Sequence, residues 1–192
     1  MFSYEEKKSI SLITILYFFR MLGAFMVFPV LSVFADSYFF STPFLIGVTL
    51  GIYGLTNALM QIPFGVLSDK YGRKKIILIG LLIFFIGSLI CSVTNNIYYL
   101  LLGRALQGAG AISGVLMALL SDKTSVKNRT LSMAIVGVAI GAAFFSAFII
   151  GPIVSKYFNL SGLFILISLL TMISVAVMLT FENDTMIPNK QF

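Results

Sequence analysis

The chain has no histidine, no tryptophan and a single cysteine, Cys91. One cysteine cannot make an intrachain disulfide, and without histidine no Cys/His metal set can form. Charge is also scarce: seven acidic and thirteen basic residues make up 10% of the 192. No phosphate-cradling glycine–lysine loop is present, so ATP-driven transport by this chain is not expected. No carboxylates pair inside the apolar runs and no nucleophile stands beside a base, so the chain reads as a non-enzyme with no cofactor and no metal. It also lacks the paired half-helix motifs of a six-span water or glycerol channel.

What fills the chain is apolar. Hydrophobic residues make up 59% and the mean hydropathy is +1.03, a balance that belongs to integral membrane proteins. A helical span takes about 20 residues. Spans are expected near 9–34, 44–67, 76–93, 97–120, 131–155 and 161–181, which uses most of the chain. The runs are too long for strands, and open sheets cannot cross lipid, so an all-α bundle of six transmembrane helices is predicted. Residues 9–34 are too long for a signal-peptide core and carry Arg20 at their middle, so they read as an uncleaved first span.

Orientation follows from the basic residues. Lys7, Lys8, Lys70, Arg73, Lys74, Lys75, Lys123, Lys127, Arg129 and Lys190 fall on one side of the predicted spans, and only Lys156 on the other. The positive-inside rule puts residues 1–8 and the tail 182–192 in the cytoplasm. The net charge of +6 is thereby explained by membrane orientation, with no nucleic-acid partner implied. Tyr38, Tyr98, Tyr99 and Tyr157 gather at the opposite ends of the spans, as an interfacial belt does.

The most specific stretch is Gly65-Val-Leu-Ser-Asp69-Lys-Tyr-Gly72-Arg73-Lys74-Lys75. It is a short, basic, glycine-bracketed connection that holds spans 2 and 3 antiparallel. Its pattern resembles the signature loop of the major facilitator superfamily. Arg104-Ala-Leu-Gln107-Gly108 in span 4 resembles the R-x-x-Q-G motif of drug:proton antiporters in that superfamily. Gly137, Gly141 and Gly151-Pro152 in span 5 partly resemble their glycine-rich motif, with Ala147 where glycine is usual and Ser155-Lys156 in place of the closing glycine pair. A short internal repeat agrees. Arg20-Met-Leu-Gly23 matches the Arg104 segment, and Gly65 to Tyr71 matches Gly151 to Tyr157. The offset is about 85 residues, as an inverted three-plus-three repeat requires.

The resemblance implies one half of the major facilitator fold, the N-terminal half of a bacterial efflux-type transporter, in the plasma membrane. Family members normally have twelve spans with substrate between two six-span halves. A truncated half is therefore expected, completed by a homodimer or a second six-span chain, with the lipid bilayer and a small-molecule substrate as its other partners. It also implies that Arg73 pairs with Asp122, with Arg129 beside them. Asp69 would face a helix of the other half, so that the loop latches the outward-open state. The alternative is a non-transporting membrane remnant or structural membrane protein; the abundance of isoleucine, phenylalanine and lysine fits drift toward AT-rich codons.

Candidate site residues come from polarity inside the spans. Arg20 lies roughly 16 Å into span 1, near mid-membrane. An intramembrane arginine is costly and faces a cavity or a partner. Arg104 lies deep in span 4, and by resemblance it is linked to proton coupling. Tyr53, Asn57 and Gln61 recur every four residues on one face of span 2. Asn57, Gln61 and Gln107 are candidates either for substrate contact or for interhelical hydrogen bonds that fasten the bundle. No carboxylate lies at mid-depth; Asp36, Asp69 and Asp122 sit at span ends, so a titrating carboxylate would have to come from elsewhere. Spans 3 and 6 are almost uniformly apolar and are expected to face lipid, whereas spans 1, 2, 4 and 5 are expected to face protein or a cavity. The small residues of spans 4 and 5, including Gly108, Gly137, Gly141 and Gly151, are expected to let helices approach closely. Pro29 is expected to bend span 1.

Overall fold

A computed structural model describes residues 2–181. The expectation for the tail 182–192, including Lys190, lies outside them. The described residues form helices α1 (Tyr4–Met26), α2 (Phe28–Phe34), α3 (Pro43–Tyr71), α4 (Arg73–Val93), α5 (Ile97–Ala109), α6 (Ser113–Asp122) and α7 (Val126–Leu179). Helices α1 and α2 are one bent span. Pro29, in the first turn of α2, has no N–H to continue the ladder. Helices α5 and α6 are likewise one span interrupted at Gly110–Ile112, where a continuous helix was expected.

Helix α7 has 54 residues. Straight, it would run about 80 Å, far more than a bilayer is thick. Its helical path breaks at Asn159, with φ 58° and ψ −172°, a left-handed φ that asparagine tolerates better than branched residues do. The two limbs return to the same side. At that side Glu6 accepts from the Ser125 amide at 2.8 Å, and Lys74 donates to the Leu179 carbonyl at 3.2 Å. At the other end Asn159 borders a cleft with Phe34, Tyr38 and Asn95. The described residues therefore make six crossings, two of them in α7.

Glycines decide where helices touch. A Cβ on Gly87 of α4 would lie 2.6 Å from the Gly103 carbonyl oxygen of α5, so these helices meet backbone to backbone. Gly108 packs in the same way on the Tyr53 carbonyl and Thr56 hydroxyl of α3. Hydroxyls inside the spans are mostly spoken for: Thr49, Thr56, Ser88, Ser132, Ser155, Ser168, Thr171 and Ser174 each donate to the carbonyl four residues back. Such bonds satisfy a polar group within lipid depth without any partner helix.

Spans 3 and 6, expected to face lipid, each turn one apolar face outward and bury the other. In α4, Ile79, Leu82, Ile86, Leu89 and Val93 point outward, but Ile77, Gly80, Leu81, Phe84, Ser88 and Cys91 are buried. The second limb of α7 is divided in the same way, with Leu163, Phe164 and Ile167 buried and Ile165, Leu169 and Ile173 exposed. A uniformly apolar sequence cannot distinguish lipid from core, because both solvate it equally. The most open span is α3, where 11% of the most apolar window is buried, against 50–56% in spans 1, 3 and 4. Leu55, Leu59, Ile62 and Val66 form one exposed stripe along it.

Candidate functional site

The break in span 4 organises the bundle centre. Where α5 stops, its last carbonyls lose their intrahelical donors. Side chains from spans 1 and 2 take over. Arg20 Nη2 donates to the Gln107 carbonyl at 3.2 Å and to the Gly110 carbonyl at 3.0 Å. Asn57 Nδ2 donates to the Gly108 carbonyl at 3.3 Å. One turn before Arg20, the Tyr17 hydroxyl donates to the Ser113 carbonyl at the start of α6. Two side chains of α1, three residues apart, thus hold both sides of the break.

Arg104 lies alongside. Its Nη1 donates to Gln107 Oε1 at 2.7 Å. Gln107 Nε2 passes the chain on to Ser88 Oγ at 2.8 Å, and Ser88 donates to the Phe84 carbonyl. Tyr53 connects the two cations. Its ring centroid lies 4.5 Å from Arg104 Cζ and 5.8 Å from Arg20 Cζ, and its hydroxyl accepts from Arg20 Nη1 at 3.3 Å. Phe84 stacks on Arg20 at 3.7 Å. These aromatic faces offset part of the burial of charge. Arg20 is 3% exposed and Arg104 fully buried. The hydrogen-bond acceptors of these two guanidiniums among the described residues are neutral: a phenol, two carbonyls and an amide oxygen. Arg20 Nε, Arg104 Nε and Arg104 Nη2 are buried with no hydrogen-bond partner.

The five cavity candidates therefore divide. Arg20, Arg104 and Gln107 are buried at the bundle centre and face partners within the chain. The break in span 4 and the close α3–α5 contact at Gly108 draw them inward. Asn57 and Gln61 are half-buried along α3, with Gln61 Nε2 donating to Asn57 Oδ1 at 3.2 Å. Asn57 also fastens the bundle through Gly108. Ser88 and Tyr17 join the network although sequence reasoning passed over them. Ser88 is hidden in an apolar run, and Tyr17 is signalled only by its spacing from Arg20.

A second cluster lies at the basic end. Gly72, at φ 95°, turns α3 into α4 in one residue, a backbone position suited to glycine. Arg73 is the hub. It meets Asp69 at 2.6 Å, Asp122 at 3.2 Å and Ser68 Oγ at 2.6 Å. Lys74 donates to the carbonyls of Leu179 and Phe181, closing α7 onto α4. Arg129 donates to the Ser121 carbonyl at 3.1 Å; it supports the end of α6 through its main chain, while Arg73 engages the Asp122 carboxylate. Ahead of the apolar part of α1, Glu6 accepts from the amides of Ser125 and Ser3 and from Asn128 Nδ2 at 3.0 Å. The Ser125 amide leads these donors in lowering the Glu6 carboxyl to about 2.

The glycines of span 5 also divide. A Cβ on Gly151 would lie 2.8 Å from the Met26 carbonyl oxygen, so α7 packs closely on the bend of span 1, with Pro152 following inside the helix. Gly137 and Gly141, and likewise Gly47, Gly51, Gly54 and Gly65, have nothing within 4 Å. The expected close approach at Gly137 and Gly141 does not occur within this chain, because they lie on the outward side of the first limb.

The family profile described as Major Facilitator Superfamily matches residues 13–191. The chain belongs to the Major Facilitator Superfamily. It is 45% identical over 174 residues to the inner membrane transport protein YajR of Escherichia coli (strain K12), covering 90% of this chain and 38% of YajR. It is 31% identical over 148 residues to the class H tetracycline resistance protein of Pasteurella multocida, covering 76% of this chain and 36% of that one. The chain thus spans about two fifths of the length of YajR. Among solved structures, the human organic anion transporter MFSD10 (TETRAN) superposes with a TM-score of 0.80 at 15% identity, covering 93% of this chain and 48% of that one. At that identity the likeness concerns the fold, which is half of the superfamily's architecture.

Proposed function

We propose that this chain is one six-helix half of a secondary active transporter that exports small amphipathic molecules by alternating access. The open face of α3 carries the reading. It combines the exposed stripe Leu55, Leu59, Ile62 and Val66 with half-buried Tyr53, Asn57 and Gln61 and with glycines that touch nothing. Lipid solvates the apolar stripe but offers no hydrogen bonds to the amides. A water-lined passage against a second six-helix unit does. The first limb of α7 offers a matching apolar surface through Val138, Phe145, Ile149 and Ile153. A second copy of the chain or a separate six-span chain fills that place. The names of the relatives fit this: YajR is called an inner membrane transport protein, and the Pasteurella protein a tetracycline resistance protein.

In this reading the basic end lies in the cytoplasm of a bacterial cell and the Asn159 end outside. The Asp69–Arg73–Asp122 cluster then closes the cytoplasmic side in the outward-open state. The test uses liposomes containing the 192-residue chain. Gradient-dependent movement of ethidium or tetracycline supports the reading. No movement, alone or after co-expression with a second six-span unit, overturns it in favour of a non-transporting membrane protein. Membrane-impermeant maleimide should label Asn159→Cys from outside intact cells but not Lys127→Cys; the reverse pattern would invert the topology.

A further inference from the structure

Arg20 and Arg104 stand close together with neutral partners. Both are sealed at mid-bundle, and three of their nitrogens, Arg20 Nε, Arg104 Nε and Arg104 Nη2, have no acceptor. A buried cation without an anion is costly, and aromatic faces and neutral carbonyls offset only part of that cost. A planar guanidinium offers paired N–H donors that match a carboxylate, sulfonate or phosphate. The site therefore has an unused capacity for one kind of ligand.

Access runs through one side chain. Tyr53 covers Arg104 with its ring and occupies Arg20 with its hydroxyl. It is itself half-buried on α3, the least covered span. The neighbouring Gly51 and Gly54 face open space, so α3 leaves room beside the ring. Phe84 supplies an apolar wall on the other side of Arg20.

We infer that Arg20, Arg104 and Tyr53 form a binding site for an organic anion, an acidic group on an apolar body, and that Tyr53 is the cover which the anion displaces. This deepens the transporter reading, on which it rests, by naming the substrate class. Entry of the acidic group breaks the Tyr53–Arg20 hydrogen bond and gives Arg104 its missing acceptor. The carbonyls of Gln107 and Gly110 keep Arg20 Nη2 in place meanwhile.

The probes are 2-naphthoate and, as its uncharged counterpart, 2-naphthalenemethanol. Binding to the 192-residue chain is measured by equilibrium dialysis in nanodiscs of zwitterionic lipid. Naphthoate should bind saturably and tighter than the alcohol. Arg104→Gln should weaken naphthoate by about 10- to 100-fold, the worth of a charged hydrogen-bonding partner, and leave the alcohol unchanged. Tyr53→Phe should tighten naphthoate by about 2- to 10-fold, because Arg20 no longer has a phenol to release. This conservative variant keeps the test sound if Arg104→Gln does not fold. Equal binding of the two probes, or a Tyr53→Phe variant whose naphthoate affinity is unchanged or lower, overturns the site. The assay needs no gradient and no second unit. A chain that binds naphthoate but moves nothing in liposomes loses the transporter reading alone; a chain that exports ethidium without preferring naphthoate loses the anion site alone.

Discussion

Two glycine-to-alanine substitutions should shift stability in opposite directions. In a helix interior, alanine is favoured over glycine by about 1 kcal/mol. At Gly137 nothing lies within 4 Å of the new methyl, so that gain stands alone. At Gly108 the methyl would fall on the Tyr53 carbonyl and the Thr56 hydroxyl of α3. One of these is backbone, and it cannot turn aside as a flexible side chain does. Overpacking costs about 1–3 kcal/mol, which cancels or exceeds the propensity gain. It also pulls Asn57 away from the Gly108 carbonyl, now 3.3 Å distant, at a further cost of about 1–3 kcal/mol for an unpaired buried carbonyl. The net expectation is a loss of about 1–5 kcal/mol for Gly108→Ala and a gain of up to about 1 kcal/mol for Gly137→Ala. At about 2–4 °C per kcal/mol for a chain of this size, the two melting temperatures should separate by several degrees. Cys91 is a built-in reporter: it is the sole cysteine and fully buried, so a thiol-reactive fluorophore reads unfolding in mild detergent. If Gly108→Ala melts at or above the wild type, the close α3–α5 contact is wrong. If Gly137→Ala melts well below it in detergent where the chain is monomeric, that face is covered within the chain, which would contradict the open surface on the first limb of α7.

Two further outcomes concern the basic end. Asp69→Asn leaves Arg73 its bond to Asp122 and removes an ion pair whose carboxylate is 65% exposed. Stability should change by no more than about 1 kcal/mol, while the populations of open and closed states, read from distances between spin labels on α3 and α7, should shift; unchanged populations would remove the latch. The folded-state carboxyl of Glu6 is lowered from 4.5 to about 2. Its contribution to stability is therefore fully present above the unfolded value and is lost as pH falls through that interval. The Ser125 amide resonance should titrate with a midpoint near 2 and become flat in Glu6→Gln; a midpoint at the ordinary carboxyl value would show that the Glu6–Ser125 hydrogen bond is not held.

Much of this architecture is legible in the chain because membranes simplify the physics. Long apolar runs have one spanning form, and a charge inside one stands out, so Arg20 and Arg104 are conspicuous before any coordinates. The short connection between spans 2 and 3 and the Arg73–Asp122 pair follow from the signature loop, although the helices run closer together than expected, to Tyr71 and from Arg73. Other features lack a sequence signal. Gly108-Ala-Gly110-Ala-Ile-Ser-Gly114 reads as a run of small residues made for packing, and nothing in it separates a tightly packed helix from a broken one. The outward position of Gly137 and Gly141 depends on which helices this chain places beside them. Ser88 looks like one more residue in an apolar run until α4 and α5 meet through Gly87 and Gly103.

The arginines show why composition alone misreads the centre of the bundle. A search for their partners in the sequence looks for carboxylates and finds none at mid-depth. The structure supplies carbonyl oxygens instead, released by the interruption of span 4 and received by Arg20 from span 1. The break and the arginine are therefore one feature. Without Arg20 the Gln107 carbonyl would lose its side-chain donor inside the bundle, while the Gly110 carbonyl would keep only the Ile112 amide, and without the break Arg20 would face a helix whose acceptors were already taken. What carbonyls cannot supply is negative charge. Arg104, whose hydrogen bond goes to the neutral amide of Gln107, keeps two nitrogens without acceptors and Arg20 keeps one, so the centre stays electrically positive, with Arg104 the less satisfied of the two cations. That difference gives the two cations unequal shares in the proposed anion site: Arg20 also holds the break in span 4 through its carbonyl partners, while Arg104 has more unused donors to offer.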